Sequence, residues 1–180
     1  MGHYHEKAVA QASSLHADKM SALHFHRDGC ANVHDNYHED RKETFVVARR
    51  QWTRQWWDKH RHLYDLVSSQ AVLNELRAGD YSKKQKCIAL LNDIDFIPIV
   101  PQMTTIVQTY IRHKIMPNDA GGDALHLALA SFDKCDMLLT WNCKHLANAN
   151  KFGHIRYINN LLGLYVPVIV TPLELLGEIS

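Results

Sequence analysis

Three polar side chains occupy positions where the sequence pattern allows chemistry: Glu75, Asp123 and Asn142. Asp123 lies in the first turn of an apolar stretch, residues 124–132, which predicts a buried helix. Asn142 follows the short apolar run Met137–Thr140, which predicts a buried strand. Ligands of open α/β sheets bind just outside the carboxyl ends of the strands. We therefore expect Asp123 and Asn142 to lie together at that edge of a sheet.

Glu75 is expected to face the protein interior. It shares one helical face with Val72 and Leu76 in a segment predicted to be helical over residues 70–78. A buried carboxylate is costly without a partner, so a metal ion or a lysine is the expected partner. The alternative is that Glu75 sits at the rim of the core and extends into solvent.

Asp123 and Asn142 also have simpler interpretations as helix caps. Aspartate is a common residue at helix N-termini, so Asp123 taken alone favours a cap over a ligand. Asn142 would in the same way cap a helix predicted over residues 143–148. The spacing of these residues does not choose between a cap and a ligand.

Three neighbouring side chains are weaker candidates. Asp119 is close enough in sequence to Asp123 to contribute an oxygen ligand. His145 would face the same cleft as Asn142, although a structural histidine is the simpler interpretation. His126 is expected to pack within the buried helix rather than to take part in a reaction.

The elements that must position these side chains alternate between strand and helix. Strands are predicted over residues 64–69, 96–100, 137–140 and 166–170. Helices are predicted over residues 44–61, 70–78, 82–92, 102–114, 124–132, 143–148 and 154–162, with a short terminal helix that Thr171 caps. This alternation predicts an α/β fold with a parallel sheet.

The first predicted helix combines tryptophans with basic residues. Trp52 and Trp56 fall on one apolar stripe, and the basic residues around it include Arg49, Arg50 and Arg54. Such interleaving allows RNA binding through phosphate pairing and base stacking. The simpler interpretation places the tryptophans in the core and the arginines on a solvated face, with at most some of these cations near a phosphate backbone.

Length and composition limit the classes of function. The chain has 180 residues, enough for one domain with a sizeable core. Its 20 Lys and Arg residues nearly balance 19 Asp and Glu residues, so any nucleic-acid binding must come from a local patch. The four cysteines form no CxxC pair. Because no secretion signal or apolar run of membrane-spanning length occurs, we expect a cytoplasmic protein that does not contact membranes.

Residues 1–36 differ from the rest of the chain. Seven of the thirteen histidines lie at or before His38, and regular periodicity is poor apart from a possible strand over residues 21–26. The pairs His3/His5 and His24/His26 have metal-binding chemistry but no fixed spacing to further ligands. We therefore treat residues 1–36 as an atypical segment, either polar and partly disordered or a replaced first strand, and residues 37–180 as the principal domain.

Several motifs together resemble the PIN-domain family, and more narrowly its bacterial VapC-type toxins of toxin–antitoxin pairs. The resemblance is carried by the central stretch DAGGDALHLALA…LLTWNCKHLANAN, by SSQAVLNEL at residues 68–76, by RRQWTRQWW at residues 49–57 and by VIVTP at residues 168–172. It covers residues 37–180, about four-fifths of the chain. The motifs are specific in combination.

The resemblance implies a PIN-like three-layer α/β/α fold with a central parallel sheet, and a ribonuclease that uses Mg²⁺ or Mn²⁺. Glu75 and Asp123 match the second and third acidic residues of the family's metal site, and Asn142 matches the polar residue after the TW pair. Weaker metal-ligand candidates are Asp28 and Asp119. The implied partners are an RNA substrate, a cognate antitoxin protein and a second copy of the chain.

The family's first acidic residue is the point of departure. Carried back without a gap, the alignment places Cys30 there, and a thiol is a poor ligand for Mg²⁺. Asp28 or Asp35 would substitute only with a different threading. We hypothesise that residues 1–36 are a replaced or frame-shifted copy of the family's first strand. We therefore expect weak metal affinity. Two functions stay open: a PIN-type ribonuclease, or an impaired PIN-like domain that binds RNA or a protein without cleaving.

Overall fold

The structure is a computed structural model that describes residues 18–24, 39–78, 84–118 and 121–177. Of residues 18–24 and 39–46 it describes the backbone alone. Everything below concerns these residues.

The described strands form one five-stranded parallel sheet in the order β3-β2-β1-β4-β5. The strands are β1 (Asp18–His24), β2 (Tyr64–Ser69), β3 (Asp95–Ile97), β4 (Met137–Thr140) and β5 (Val168–Val170). β1 is central because it pairs with β2 on one side and with β4 on the other. From β1 the chain continues to β2 and β3 on one side of the sheet, whereas from β4 it continues to β5 on the other side. The connections therefore run in opposite directions on the two sides of the boundary between β1 and β4. This divergence is a topological switch point.

Helices connect the strands, as a parallel sheet requires. They are α1 (Glu39–Lys59), α2 (Gln70–Ala78), α3 (Lys84–Ala89), α4 (Gln102–Arg112), α5 (Asp123–Phe132) and α6 (Ala149–Leu161), with 3₁₀ helices at Arg61–Leu63 and Glu174–Leu176. None of the helices in the described ranges is both long and apolar enough to cross a bilayer. The predicted α/β class with a parallel sheet is confirmed.

The predicted elements agree with the structure where the apolar pattern has sharp limits. The strands predicted over 64–69 and 137–140 coincide with β2 and β4, and the helix predicted over 70–78 coincides with α2. The strand predicted over 96–100 ends earlier, because β3 stops at Ile97, just before Pro98, which has no N–H to donate to a neighbouring strand. The strand expected over 21–26 lies at Asp18–His24.

The strand β1 falls within the atypical segment 1–36 and pairs with strands of the segment 37–180. The proposed division at residue 37 therefore stays a prediction about domains, while the sheet itself draws on both segments. The two His-x-His pairs lie outside the residues whose side chains are described.

The helix predicted over residues 143–148 is wrong. Only one turn forms there, in which the backbone N–H groups of Leu146 and Ala147 both donate to the carbonyl of Asn142. Asn148 already begins the next helix: its backbone is extended and its side chain accepts a hydrogen bond from the N–H of Asn150 at 3.1 Å. Two capping asparagines six residues apart leave no room for an intervening helix, and α6 consequently starts earlier than the predicted residue 154.

The helix α5 is the centre of the core. Eight of its ten residues are buried, as its apolar composition predicts, and it contacts α4, β1 and β4. Near the C-terminal end of α5 a buried hydrogen-bond network joins α4 to α6: the hydroxyl of Tyr110 donates to Oδ1 of Asn159 at 2.6 Å. Asn159 in turn donates to Oγ of Ser131 and to the carbonyl of Tyr165. The network holds the last turn of α5, and the first turn of α5 lies at the carboxyl edge of the sheet beside the end of β4.

Candidate functional site

A hydrogen-bonded pair, Asp123 and Asn142, forms the centre of the candidate site. Nδ2 of Asn142 donates to both carboxylate oxygens of Asp123, at 2.8 Å to Oδ1 and 2.7 Å to Oδ2. Both side chains are buried, with 9% of Asp123 and 4% of Asn142 exposed. Hydrogen bonds to an ionised acceptor are roughly twice as strong as neutral ones, so this amide stabilises the charged carboxylate.

Asn142 is itself held rigidly at the end of β4. Its backbone N–H donates to Oγ1 of Thr140 at 3.0 Å, and its Oδ1 accepts from the backbone N–H of His145 at 3.1 Å. The amide oxygen thus points to the following turn and the amide nitrogen points to Asp123. A polar residue directly after a buried strand is placed at the sheet edge by the strand itself, because the chain must turn there.

A second pair, Glu75 and His126, lies against the same helix. Nε2 of the imidazole is 3.1 Å from Oε1 of the carboxylate. Because a carboxylate oxygen accepts, the tautomer with a proton on Nε2 makes the imidazole N–H the donor. His126 is fully buried, whereas the Glu75 side chain is 33% exposed. Glu75 thus hydrogen-bonds to a histidine among the described residues and sits at the boundary between core and solvent. A metal partner for Glu75 stays a prediction.

The two pairs are adjacent because of helix geometry. Asp123 and His126 are three residues apart on α5, a spacing that puts both side chains on one face. Asn142 from the end of β4 meets the first of them, and Glu75 from α2 meets the second. Side chains from α2, α5 and the β4 end therefore converge on the first turns of α5, beside the switch point of the sheet.

A further residue, Trp141, connects this site to α1. Its ring stacks on Trp52 with centroids 6.0 Å apart, and the guanidinium of Arg49 lies 5.3 Å from its ring centroid. Its indole N–H donates to Oγ1 of Thr53 at 2.7 Å. Three contacts thus fasten α1 to the residue that precedes Asn142. The sequence pattern did not indicate these contacts of Trp141 and Thr53, and its only signal was the position of Trp141 directly before Asn142.

The electrostatics of the site extend to His145. Burial lowers the pKa of His145, and the negative charge of Asp123 opposes this by favouring the protonated ring. Lys151 and Lys144 act in the same direction as burial. His145 therefore lies within electrostatic reach of the Asp123 carboxylate, in agreement with a place in the same cleft.

The donor chemistry of the site fits a hard divalent cation. Asp123 and Glu75 offer carboxylate oxygens, which Mg²⁺ and Mn²⁺ prefer. Each carboxylate oxygen has two lone-pair positions, so the bonds from Asn142 leave acceptor capacity on Asp123. The amide nitrogen of Asn142 donates to that carboxylate, so Asn142 would orient Asp123 as a metal ligand. Across the described residues no group of three or more His, Cys, Asp or Glu side chains has metal-site geometry.

Two of the predicted ligands cannot be placed. Asp28 and Asp119 lie outside the described residues, as does Cys30. The structure brings Asp123 and Asn142 into contact and places Glu75 against the same helix. The assignment of these three residues as catalytic or metal-binding stays a prediction.

A cavity of about 470 Å³ lies at the opposite edge of the sheet, at the amino ends of β2 and β3. Its polar lining includes Asp65, Asp93 and Asp95 together with Arg61 and His62. It shares no residue with the Asp123–Asn142 site. At the carboxyl edge, by contrast, the Asp123 carboxylate is buried, and Asp123 and Glu75 both accept hydrogen bonds from specific side chains.

The chain was also compared with known proteins. No protein-family model, no curated protein and no solved structure matches it.

Proposed function

We propose that this protein is a metal-dependent endoribonuclease of the PIN type, with the three-layer α/β/α arrangement of that family. The observation that carries the proposal is the buried Asp123 carboxylate at the carboxyl edge of the sheet, held at both oxygens by Asn142. A buried negative charge is costly, and a site that maintains one at a ligand-binding edge favours a cationic ligand.

Asp123 and Glu75 would hold Mg²⁺ or Mn²⁺. Such an ion lowers the pKa of a bound water and stabilises the leaving oxygen during phosphodiester hydrolysis. The chain's own part is positional: Asn142 fixes the orientation of the Asp123 carboxylate, and His126 fixes that of Glu75. Thr140 and the His145 backbone N–H keep Asn142 from rotating.

One observation favours a second function, an impaired PIN-like domain that binds RNA or a protein without cleaving it. In the described part of the chain the site has two carboxylates, and both oxygens of one already accept hydrogen bonds from an amide. A metal ion would have to share Asp123 with that amide, so its affinity would be low.

The cellular partners belong to the proposal as well. By the same resemblance the protein would act as the toxin half of a toxin–antitoxin pair, in the cytoplasm, as a homodimer neutralised by a cognate antitoxin. The sequence motifs alone support this part.

The experiment that tests the function is cleavage of a mixed structured RNA by purified protein with Mn²⁺ or Mg²⁺, and with EDTA. The expected result is cleavage that EDTA, Asp123→Asn and Glu75→Gln each abolish. The matched control is Asp93→Asn, which removes an exposed carboxylate at the opposite edge and should leave cleavage unchanged.

A second readout separates the two candidate functions. Mn²⁺ binding by calorimetry should be lost in Asp123→Asn and retained in Asp93→Asn. Metal binding and RNA binding without cleavage would favour the impaired domain. Cleavage that persists in Asp123→Asn would contradict the assigned site.

A further inference from the structure

The first helix, α1, is fixed to the candidate site through Trp141, which precedes Asn142 in the chain. The residues of α1 that contact Trp141 are Arg49, Trp52 and Thr53. Trp56, one turn further along that face, is fully buried. This face of α1 is therefore committed to packing, and its orientation relative to the sheet edge is fixed.

The packing of that face determines where the other arginines of α1 lie. Arg50 and Arg54 each follow a packed residue, Arg49 and Thr53, and lie about 100° further around the helix, so both side chains are on the side of α1 that faces away from the packed face. Both are exposed. Because they are four residues apart, their side chains are neighbours along the helix, and they form a short basic strip within a turn of the residues that contact Trp141.

The charges of this strip are available to a ligand. In the described ranges neither Arg50 nor Arg54 forms an ion pair with a carboxylate, whereas Arg49 lies over the Trp141 ring. A guanidinium pairs well with phosphate because its planar N–H donors match the phosphate oxygens. The chain as a whole carries a formal net charge of only +1, so phosphate attraction depends on local strips such as this one.

We infer that Arg50 and Arg54 bind two backbone phosphates of RNA and lead the strand to the Asp123–Asn142 edge. The inference rests on the proposed function for the identity of the ligand. Because Trp141 contacts α1 and directly precedes Asn142 in the chain, the strip and the carboxylates keep a fixed separation. Because Trp52 and Arg49 already occupy the Trp141 ring, backbone pairing rather than base stacking is the contact that this surface provides.

The test measures binding of a fluorescently labelled single-stranded RNA by anisotropy, in EDTA, over a range of salt concentrations. The variant is the double substitution Arg50→Gln/Arg54→Gln. The matched control is Arg112→Gln/Arg156→Gln, which removes two exposed arginines from α4 and α6. Each phosphate contact releases counterions from the RNA and makes the slope of log affinity against log salt steeper by about 0.7 for single strands. The expected result is a slope of log affinity against log salt that is shallower by about 1.4 in the first variant alone, with weaker binding at low salt.

Three outcomes would overturn the inference: equal losses in both double variants, unchanged binding in the first, or no RNA binding by the wild-type protein. If wild-type RNA binding does not depend on the strip, an acidic protein segment becomes the better candidate for it. Thermal unfolding of each variant establishes that it is folded. Because the assay contains no metal ion, it is independent of cleavage. If the protein binds RNA through the strip but never cleaves it, the proposed function is contradicted and this inference still holds.

Discussion

The amide of Asn142 spans the carboxylate of Asp123, with its nitrogen 2.8 Å from one oxygen and 2.7 Å from the other. A neutral donor thus stabilises a buried negative charge without neutralising it. This relationship distinguishes the site from a simple helix cap, because the Asp123 side chain accepts from another element and the cap position of α5 is Gly122. It also makes Asn142 the most informative position to change.

Replacing Asn142 by aspartate should destabilise the protein in a pH-dependent way. The substitution removes the donor and places two carboxylates in contact, so the higher pKa of the pair rises and the pair retains a proton when folded. Stability is then best at low pH and falls as pH rises through the raised pKa. We expect Asn142→Asp to lose about 3 kcal/mol or more at pH 8, and much less at pH 5, measured by urea unfolding.

Two comparisons check the interpretation of Asn142→Asp. The control Asn92→Asp makes the same chemical change at an exposed turn and should stay within about 0.5 kcal/mol of wild type. Added Mn²⁺ should recover part of the lost stability in Asn142→Asp, since a cation compensates paired carboxylates. Equal destabilisation at both pH values would show that the two carboxyl groups do not meet.

Tyr110 provides a prediction about the core. Its hydroxyl is buried and donates to Asn159, and burial raises its pKa to about 12. Tyr110→Phe leaves the Asn159 oxygen without this donor and should cost about 1–3 kcal/mol at pH 7. In the wild type, stability should fall above pH 10, because the unfolded chain then releases the phenolic proton and the folded one retains it.

The slope of that fall is about 1.4 kcal/mol per pH unit for a single group. The stability difference between wild type and Tyr110→Phe should therefore shrink between pH 10 and 11, as denaturant unfolding at each pH would measure. Tyr157→Phe is the control, since 61% of Tyr157 is exposed. A difference that stays constant over this interval would contradict the raised pKa.

The parts of the fold that sequence patterns predicted are those controlled by local chemistry. β2 and β4 were found because each is a short run bounded by polar residues, and α5 because it is apolar nearly all round. The helix predicted over 143–148 failed because Asn142 and Asn148 both act on the backbone in the same short segment. A pattern of residue types does not reveal which asparagine caps which turn.

The candidate site was predictable only in part, for a related reason. The proximity of Asp123 to Asn142 follows from an α/β topology, because a helix before a strand starts near the end of that strand. The contact between Glu75 and His126 joins residues 51 positions apart and depends on how α2 packs against α5. The contacts of Trp141 with α1 span still more of the chain, 88 positions for Thr53. Such contacts are set by tertiary packing and leave no local signature.

The link between Trp141 and Thr53 can be measured by a double-mutant cycle. Trp141→Phe keeps an aromatic ring but removes the indole N–H, and Thr53→Val removes the acceptor with little change of shape. Because the two groups hydrogen-bond at 2.7 Å, we expect a coupling energy of about 0.5–1.5 kcal/mol in unfolding experiments. A cycle with Thr109→Val as the partner of Trp141→Phe should give none, since Thr109 bonds only within α4. Zero coupling in the first cycle would mean that α1 is not held by this bond.

His145 reports on the charge of Asp123, and its titration tests the electrostatics of the site. The carboxylate favours the protonated ring, so Asp123→Asn should lower the pKa of His145 further below its usual value. NMR titration of the imidazole resonances in the wild type and in Asp123→Asn measures this directly. A divalent cation bound at Asp123 should lower the pKa of His145 in the wild type in the same direction, because it offsets the same negative charge. In Asp123→Asn the cation should have no such effect. An unchanged His145 pKa in Asp123→Asn would show that the ring lies beyond the reach of that carboxylate. The turn that contains His145 would then have no part in the chemistry proposed for Asp123 and Asn142.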